Sequence, residues 1–349
     1  MSHAKKKNIL ADIIKYIIPL VISIGLCWLL FTGIDFNEMM TIIREQCDFR
    51  WIVLGFAFAI GAQVCRGYRW GIQLKALGVD TPKHILIYSI FGTYAVNLVF
   101  PRLGEVWRSG YIAQRQRAPF TCVFGSMVAD RLSDTVAVAL ITLYAFLIAS
   151  KAITSFLQEN MASYEAIASF LSSPWLWGAV IAVIAGVWYF MTRKSGNSVV
   201  IKIQNAVKEL WQGFAVIVKM PGKGLWLLLT VGIWVCYFMQ MYVSFYAFPF
   251  THELLTTYGT QAALVTFVLG SISMGVPSNG GIGPWQWAVI FALGIYGLPK
   301  AEAVAFANLS LGTTTLLTIT LGIFTFIAIA LDKKKTGKLN KTQTIKQNN

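Results

Sequence analysis

The sequence predicts an all-α fold, a polytopic bundle of helices embedded in a membrane. Of its 349 residues, 56% are hydrophobic and only 13% are charged, and the mean hydropathy is +0.62. A soluble domain carries about a quarter charged residues. The apolar residues are also gathered into runs of about 20, the length that an α-helix needs to cross a bilayer. This composition excludes a soluble two-domain protein, a disordered chain and a secreted disulfide scaffold.

The positive charge is arranged around these apolar runs. The chain has 29 Lys and Arg against 15 Asp and Glu, a formal net charge of +14. Basic residues that flank apolar segments are typical of the cytoplasmic loops of membrane proteins. The charge therefore indicates a membrane orientation and not a nucleic-acid-binding surface.

Eight apolar segments are candidate spans. They lie at 10–32, 51–74, 84–100, 120–150, 175–191, 224–248, 258–276 and 301–331. Three lysines precede the first segment, which has no small-residue cleavage site. We expect this segment to be retained as a signal anchor.

Two shorter helical stretches, 102–118 and 283–298, follow apolar segments after turns rich in Pro and Gly. Each stretch is predicted to fold back on the segment before it, 84–100 or 258–276, as a re-entrant hairpin. The prediction is therefore six full spans and two oppositely oriented hairpins. The alternative is a conventional bundle of eight transmembrane helices.

The remaining segments are polar or amphipathic. The segment 201–219 has helical amphipathic periodicity and is predicted to lie on the membrane surface. A transmembrane domain over 1–331 is followed by a basic tail, 332–349, that is predicted to be a disordered cytoplasmic segment. Five cysteines and three histidines show no metal-site or catalytic spacing, so no cofactor, metal or catalytic residue is predicted.

The distribution of basic residues predicts the orientation. If the first hairpin enters from the cytoplasm and the second from outside, 21 Lys and Arg face the cytoplasm and 4 face outward. This count assigns Arg66 and Arg69 to a cytoplasmic loop, 66–83. It predicts a multi-pass protein of the cell (inner) membrane with both termini in the cytoplasm.

The two hairpin regions indicate an inverted repeat of 84–150 and 258–331. Each has an apolar segment, a Pro/Gly turn and a short helix, and Arg131-Leu132-Ser133 aligns with Asn308-Leu309-Ser310. An odd number of spans separates the hairpins, which inverts the second copy. Inverted repeats with broken helices are a transporter pattern.

The first candidate site is a group of charged residues in or beside the apolar layer. Its members are Arg102, Glu105, Arg108, Asp130, Arg131 and Asp134. A charge at the bilayer centre costs about 2.5–3.5 kcal/mol on insertion scales, so such residues pair and face the protein interior. Helical spacing predicts the pairs Glu105–Arg108 and Arg131–Asp134. The group is either an ion-pair clamp between the first hairpin and the next helix, or a substrate-facing site.

The second candidate site is the glycine-rich turn of the second hairpin. It comprises Asn279, Gly280, Gly281, Gly283 and Gln286. Glycines leave backbone N–H groups open, and a helix N-terminus follows, an arrangement that favours anions such as phosphate. The alternative is a tight loop with no ligand.

Two motifs carry a resemblance to a known family. The run NLVFPRLGEVWRSGYIAQRQRAPFTCVFGSMVADRLSDT (97–135) contains P-x-x-G-E-x-x-R followed by D-R-x-x-D, and PSNGGIGPWQ (277–286) is a second, glycine-rich signature. Together they resemble the lysylphosphatidylglycerol synthase transmembrane region, or flippase-like domain family. That family usually carries a Glu soon after the last glycine, whereas this chain has Gln286.

The resemblance implies a multi-spanning inner-membrane protein that acts on lipids. In two-domain members, this region looks like the part that moves an aminoacylated phospholipid, while a soluble C-terminal domain synthesises it. The 349 residues leave no room for that domain, so lysylphosphatidylglycerol synthesis is not expected.

The expected function is a lipid flippase-like transporter for an anionic or aminoacylated phospholipid or a polyprenyl-phosphate glycolipid. Arg102, Arg108 and Arg131 would contact the phosphate, and the three carboxylates would be counter-ions or proton-coupling groups. One alternative is a membrane enzyme with Glu105 or Asp130 as general base. Another is a scaffold that recruits a cytoplasmic lipid enzyme. Membrane lipids are the expected partners, and homo-oligomerisation is left open.

Overall fold

A computed structural model of the chain describes residues 36–150, 220–276 and 278–347, with isolated residues between 169 and 186. Side chains are described as far as Asp332. The predicted span 10–32 and the amphipathic segment 201–219 lie outside the described residues, as does 175–191 apart from isolated positions.

The described ranges are helical and contain no β-strand, which confirms the predicted all-α membrane bundle. A short 3₁₀ turn, Phe245–Ala247, separates two of the helices. The described α-helices, numbered in chain order, are α1 Phe36–Gln46, α2 Phe49–Ala76, α3 Lys83–Val99, α4 Leu103–Gln116, α5 Phe120–Ile148, α6 Lys223–Ser244, α7 Pro249–Tyr258, α8 Thr260–Ser273, α9 Pro284–Ile295 and α10 Lys300–Gln347.

Four helices in the described ranges are long and apolar enough to cross a membrane. They cover Phe49–Ala76, Phe120–Ile148, Lys223–Ala247 and Lys300–Asp332. All four coincide with predicted spans. The other two predicted full spans, 10–32 and 175–191, are those outside the described residues.

The first hairpin consists of α3 and α4, with 17 and 14 residues. At about 1.5 Å per residue these helices are roughly 25 and 21 Å long, shorter than a hydrocarbon core of about 30 Å. Ile85 of α3 and Ile112 of α4 share a buried cluster with Val79, which follows α2, and Val123, which lies early in α5. The hairpin therefore returns to the end of the bundle from which it came.

The second hairpin consists of α8 and α9, with 14 and 12 residues. Its buried residues, among them Ala263 and Leu293, share a cluster with Ile52 near the start of α2. The two ends of α2 lie at opposite ends of the bundle. The two hairpins accordingly enter the bundle from opposite ends, as the sequence predicts.

The turns of the two hairpins contact each other. Nη2 of Arg102 donates to the carbonyl oxygens of Met274 at 3.0 Å and Gly275 at 2.8 Å. Leu98 lies so near Gly280 that a Cβ on this glycine would stand 2.5 Å from Leu98 Cδ2. The two turns are therefore held against each other, while Arg102, Met274 and Gly275 remain exposed.

Packing between the halves is reciprocal. Helix α3 lies against α10, and α8 lies against α5, while α2 and α6 pack along each other. Each hairpin thus contacts the long helix that follows the other hairpin.

Some elements differ from the sequence prediction. Helix α10 continues to Gln347, so the backbone of 332–347 is helical where a disordered tail was expected. Six of these 16 residues are Lys, which is a good helix former. The short helices α1 and α7 were not predicted, because they have only 11 and 10 residues and are too short to form 20-residue apolar runs. Their buried residues include Met39 and Leu254.

Candidate functional site

A cluster of seven charged residues lies between α2, α4 and α5. Its members, called the arginine–carboxylate cluster below, are Arg66 and Arg69 of α2, Glu105 and Arg108 of α4, and Asp130, Arg131 and Asp134 of α5. Helical spacing explains its local order, because residues three or four positions apart share a face. The three helices thus each contribute charges to one interior position.

Arg69 is the most completely satisfied cation of the cluster. Its Nε and Nη2 donate to Asp130 Oδ1 at 3.0 and 2.6 Å, and Nη2 also reaches Asp134 Oδ1 at 2.8 Å. Nη1 donates to Thr230 Oγ1 of α6 at 3.4 Å. The side chain is fully buried. Arg69 therefore joins α2, α5 and α6, and all three of its guanidinium nitrogens already donate hydrogen bonds.

Arg66 pairs through Nη1 with Asp134 Oδ2. Its guanidinium lies 5.9 Å from the ring centroid of Tyr237, whose hydroxyl is 3.0 Å from that of Tyr94. Arg131, the partner that spacing predicts for Asp134, is more distant, with 3.8 Å between Nη1 and Oδ2. The principal partners of Asp134 thus come from α2.

Glu105 pairs with Arg131 instead of the predicted Arg108. Arg131 Nη2 donates to Glu105 Oε1 at 2.9 Å, and Asn97 Nδ2 donates to Oε2 at 3.2 Å. Asn97 also accepts a hydrogen bond from Gly104 N at 2.8 Å, at the start of α4. A Cβ on Gly104 would collide with the carbonyl of Thr93, so glycine permits this close approach of α4 to α3.

Arg108 is buried, but only one of its three guanidinium nitrogens donates a hydrogen bond to a described residue. It is fully buried, and Nη2 donates to Asp130 Oδ2 at 3.2 Å. Nε and Nη1 make no hydrogen bond to any described residue, although the guanidinium lies 4.4 Å from the ring centroid of Trp70. Three of the five N–H donors of an arginine are on these two nitrogens. An unsatisfied buried donor costs about 1–3 kcal/mol, so these donors are suited to an acceptor on a ligand.

The cluster has an excess of positive charge and one accessible edge. Four arginines face three carboxylates, which leaves a formal charge of +1. Arg69, Arg108 and Asp130 are fully buried, whereas the side chain of Arg131 is 30% exposed. An anion reaching the cluster would approach along the Arg131 edge.

Arg102, a predicted member, lies apart from this cluster. It is exposed, its φ of 63° is in the left-handed region, and it binds the last carbonyls of α8. Those carbonyls carry partial negative charge, which a cation offsets. The structure thus gives Arg102 a role in joining the hairpins.

The second predicted site forms a compact turn before α9. Gly280, Gly281 and Gly283 have φ of 63°, 88° and 92°, and Asn279 is half-buried beside them. Gln286 Oε1 accepts from Gly283 N at 3.0 Å, and its Nε2 donates to Asn308. Pro277 lies outside the described residues. The turn contributes no residue to the arginine–carboxylate cluster.

A side-chain pair joins the short helix of each hairpin to the long helix that follows it. Glu105–Arg131 joins the helix after the first turn to the next long helix, and Gln286–Asn308 does the same after the second turn. The first pair is ionic and the second neutral. Apart from Arg115–Asp332, the ion pairs between described residues lie within 66–134. No group of three or more His, Cys, Asp and Glu among the described residues could hold a metal ion.

Sequence reasoning missed Arg66 and Arg69. The assignment of both to a cytoplasmic loop was wrong, because they lie within α2 and are buried. Their acidic partners are 61 to 68 residues away, so no local pattern links them. The available signal was two arginines three positions apart inside an apolar segment, which indicates a buried, paired charge.

Comparisons with known proteins agree with this architecture. The family model described as the lysylphosphatidylglycerol synthase TM region matches residues 16–322. The chain is also similar to the UPF0104 membrane protein MJ1595 of Methanocaldococcus jannaschii, with 22% identity over 343 residues that cover 93% of this chain and 98% of the relative. All seven residues of the arginine–carboxylate cluster fall within the family match.

Proposed function

Because the chain belongs to the lysylphosphatidylglycerol synthase TM region family, we propose that it is a lipid flippase-like transporter for lipids with an anionic headgroup. The observation that carries the proposal is Arg108, a buried guanidinium with two nitrogens that have no partner among the described residues. The lipid phosphate would bind there, and the acyl chains would remain in the surrounding bilayer.

The chemistry of the cluster suits a phosphate group. Phosphate oxygens accept charge-assisted hydrogen bonds, which are roughly twice as strong as neutral ones, and arginine is the residue best matched to them. Beyond Arg108, the Nε atoms of Arg66 and Arg131 also have no partner among the described residues. Three arginines of the cluster therefore carry buried N–H donors without a partner among the described residues.

The broken helices provide a route for the headgroup. We propose that 84–150 and 258–331 form an inverted repeat, supported by the opposite entry of the hairpins and the reciprocal packing of α3 on α10 and α8 on α5. In transporters of this design, one repeat rocks against the other around a site near the midplane. The contact of Arg102 with the end of α8 is the junction that such a movement would alter.

Reconstitution tests the proposal. Purified protein is placed in vesicles containing headgroup-labelled phosphatidylglycerol, and the fraction of label protected from an impermeant quencher is followed with and without a proton gradient. We expect movement by the wild type and at least a tenfold lower rate per folded molecule for Arg108→Gln. The control Arg50→Gln removes an exposed arginine outside the cluster and should retain the wild-type rate.

Two outcomes would contradict the proposal. One is a wild-type protein that moves no anionic lipid in either condition. The other is hydrolysis or group transfer on the lipid by the protein in detergent, which would identify a membrane enzyme.

A further inference from the structure

The arginine–carboxylate cluster can be treated as a balance of charges in a low-dielectric interior. Its cations are Arg66, Arg69, Arg108 and Arg131, and its anions are Glu105, Asp130 and Asp134. The neutral polar groups beside it are Tyr94 and Asn97 of α3, and Thr230 and Tyr237 of α6. Counted over the described residues, the cluster therefore lacks one negative charge.

Neighbouring charges do not alter this balance. Arg102 is exposed and bound to backbone carbonyls at the tip of the hairpin. Arg115, farther along α4, has its own partner in Asp332 of α10. Within the part of the chain that the structure describes, the balance thus concerns these seven residues.

Building on the proposed function, we infer that this site selects lipids whose headgroup phosphate carries a single negative charge, namely phosphodiesters, over phosphomonoester lipids that carry two. A monoanion brings the cluster to neutrality. A dianion leaves an uncompensated negative charge beside Asp130, which is fully buried. An unpaired charge in such a site is strongly destabilising, so the second charge opposes binding.

The donors match the same ligand class. The two non-bridging oxygens of a phosphodiester can accept from Nε and Nη1 of Arg108 and from Nε of Arg66 and Arg131, the nitrogens without partners among the described residues. Arg69 contributes compensating charge only, because its nitrogens are already bound. Arg108 is therefore the specificity-determining contact, and Glu105 and Arg131 set the charge at the accessible edge.

The test compares two lipids with identical acyl chains in the reconstituted protein. Phosphatidylglycerol is a phosphodiester whose charge stays constant between pH 5 and pH 8. Phosphatidic acid is a phosphomonoester, and since the second pKa of such groups is about 6, it gains a second charge over this interval. We expect the rate ratio of phosphatidylglycerol to phosphatidic acid to be at least tenfold at pH 8 and to approach one at pH 5.

Two variants shift the formal charge of the cluster in opposite directions. Glu105→Gln raises this charge from +1 to +2 and should reduce the phosphatidylglycerol-to-phosphatidic acid rate ratio at pH 8 at least tenfold. Arg131→Gln lowers the charge to zero and should increase the same rate ratio. Both variants break the same ion pair, so a structural role alone would move both ratios the same way. Glu45→Gln adds the same charge at an exposed position of α1 and should leave the ratio unchanged.

The outcomes separate this inference from the proposed function. Equal rates for the two lipids at pH 8, or the same direction of change in both variants, would overturn the charge selection while leaving lipid transport intact. No movement of either lipid at either pH would overturn both.

Discussion

Replacement of Asp134 should strongly affect the stability of the protein, because its carboxylate accepts hydrogen bonds from both Arg66 and Arg69. Its replacement in Asp134→Ala leaves a buried arginine without its partner, and breaking a buried pair in this way costs about 3–5 kcal/mol. We expect a clear loss of folded protein and of thermal unfolding temperature in detergent. Adding Arg66→Leu should restore much of this loss.

The control for this rescue is Asp134→Ala combined with Arg131→Leu. Arg131 has its closer partner in Glu105, so removing it creates a second orphan instead of relieving the first. Rescue by Arg131→Leu equal to that by Arg66→Leu would show that the cross-helix pair is not the principal one.

Arg69 and Arg108 form a matched pair for separating stability from ligand binding. Both are fully buried and both contact Asp130, but only Arg108 has nitrogens without partners in the described structure. Arg69→Gln should therefore lower the unfolding temperature more than Arg108→Gln does. An Arg108→Gln protein as unstable as Arg69→Gln would place Arg108 in the scaffold.

The residue scale also shows where sequence reasoning fails. Asp130 and Asp134 could be recognised because their spacing and their position in an apolar segment are local features. Arg66 and Arg69 could not be assigned as their partners, since the link depends on how α2 packs against α5. Helix packing is a property of the whole bundle and leaves no trace in local spacing.

At the scale of elements, the turn before α9 responds to added side-chain volume. A Cβ on Gly281 would lie 2.7 Å from Met274 Sδ, and the φ of 88° is unfavourable for any residue with a side chain. Gly281→Val should lower the unfolding temperature, with a backbone cost alone of about 1–2 kcal/mol. Met274→Ala should recover part of the loss that comes from the contact.

Asn279→Ala is the comparison in the same turn. This residue is half-buried and does not have a positive φ, so truncation to Ala adds neither side-chain volume nor backbone strain. Transport per folded molecule should fall less than in Gly281→Val. A Gly281→Val protein with wild-type stability would show that the turn adapts to the larger side chain.

The elements themselves were largely predictable, because span length and Pro/Gly turns are local. The bounds of α2 to α6, of α8 and α9, and the start of α10 fall close to the predicted segments. The extended α10 and the short α1 and α7 were not predicted. A one-sided apolar face such as that of α1 becomes stable only by packing against distant parts of the chain, here α10.

For the whole molecule, the packing predicts which loops share a membrane face. Val79 and Ala113 lie in one buried cluster, so cysteines placed at Gly78 and Gln116 in a cysteine-free protein should react with an impermeant reagent from the same side. A cysteine at Thr257 of α7, whose neighbours Leu254 and Leu255 lie in the opposite cluster, should react from the other side. Labelling of positions 78 and 116 from different faces would contradict the hairpin.

The native Cys47 thiol, which the cysteine-free protein lacks, provides a separate labelling test in the wild-type protein. Burial, with a smaller contribution from Asp48, raises the pKa of the Cys47 thiol to about 11. Because the thiolate is the reactive form, Cys47 should label slowly at pH 7 and faster as the pH approaches 11.

The burial of Arg66 and Arg69 changes the count of basic residues that predicts the orientation. With these two arginines inside the bundle, 19 basic residues remain on the predicted cytoplasmic side against 4 outside.

The long separation between Arg66 and Asp134 also fixes an order of events during biosynthesis. The two residues are 68 positions apart, so at about 5–20 residues per second the arginine is translated roughly 3 to 14 s before its partner. During that interval α2 carries two uncompensated cations, each of which opposes partition into the centre of a bilayer by about 2.5–3.5 kcal/mol. This cost is relieved only after α5 has been translated, so the stable placement of α2 in the bilayer depends on a helix made later.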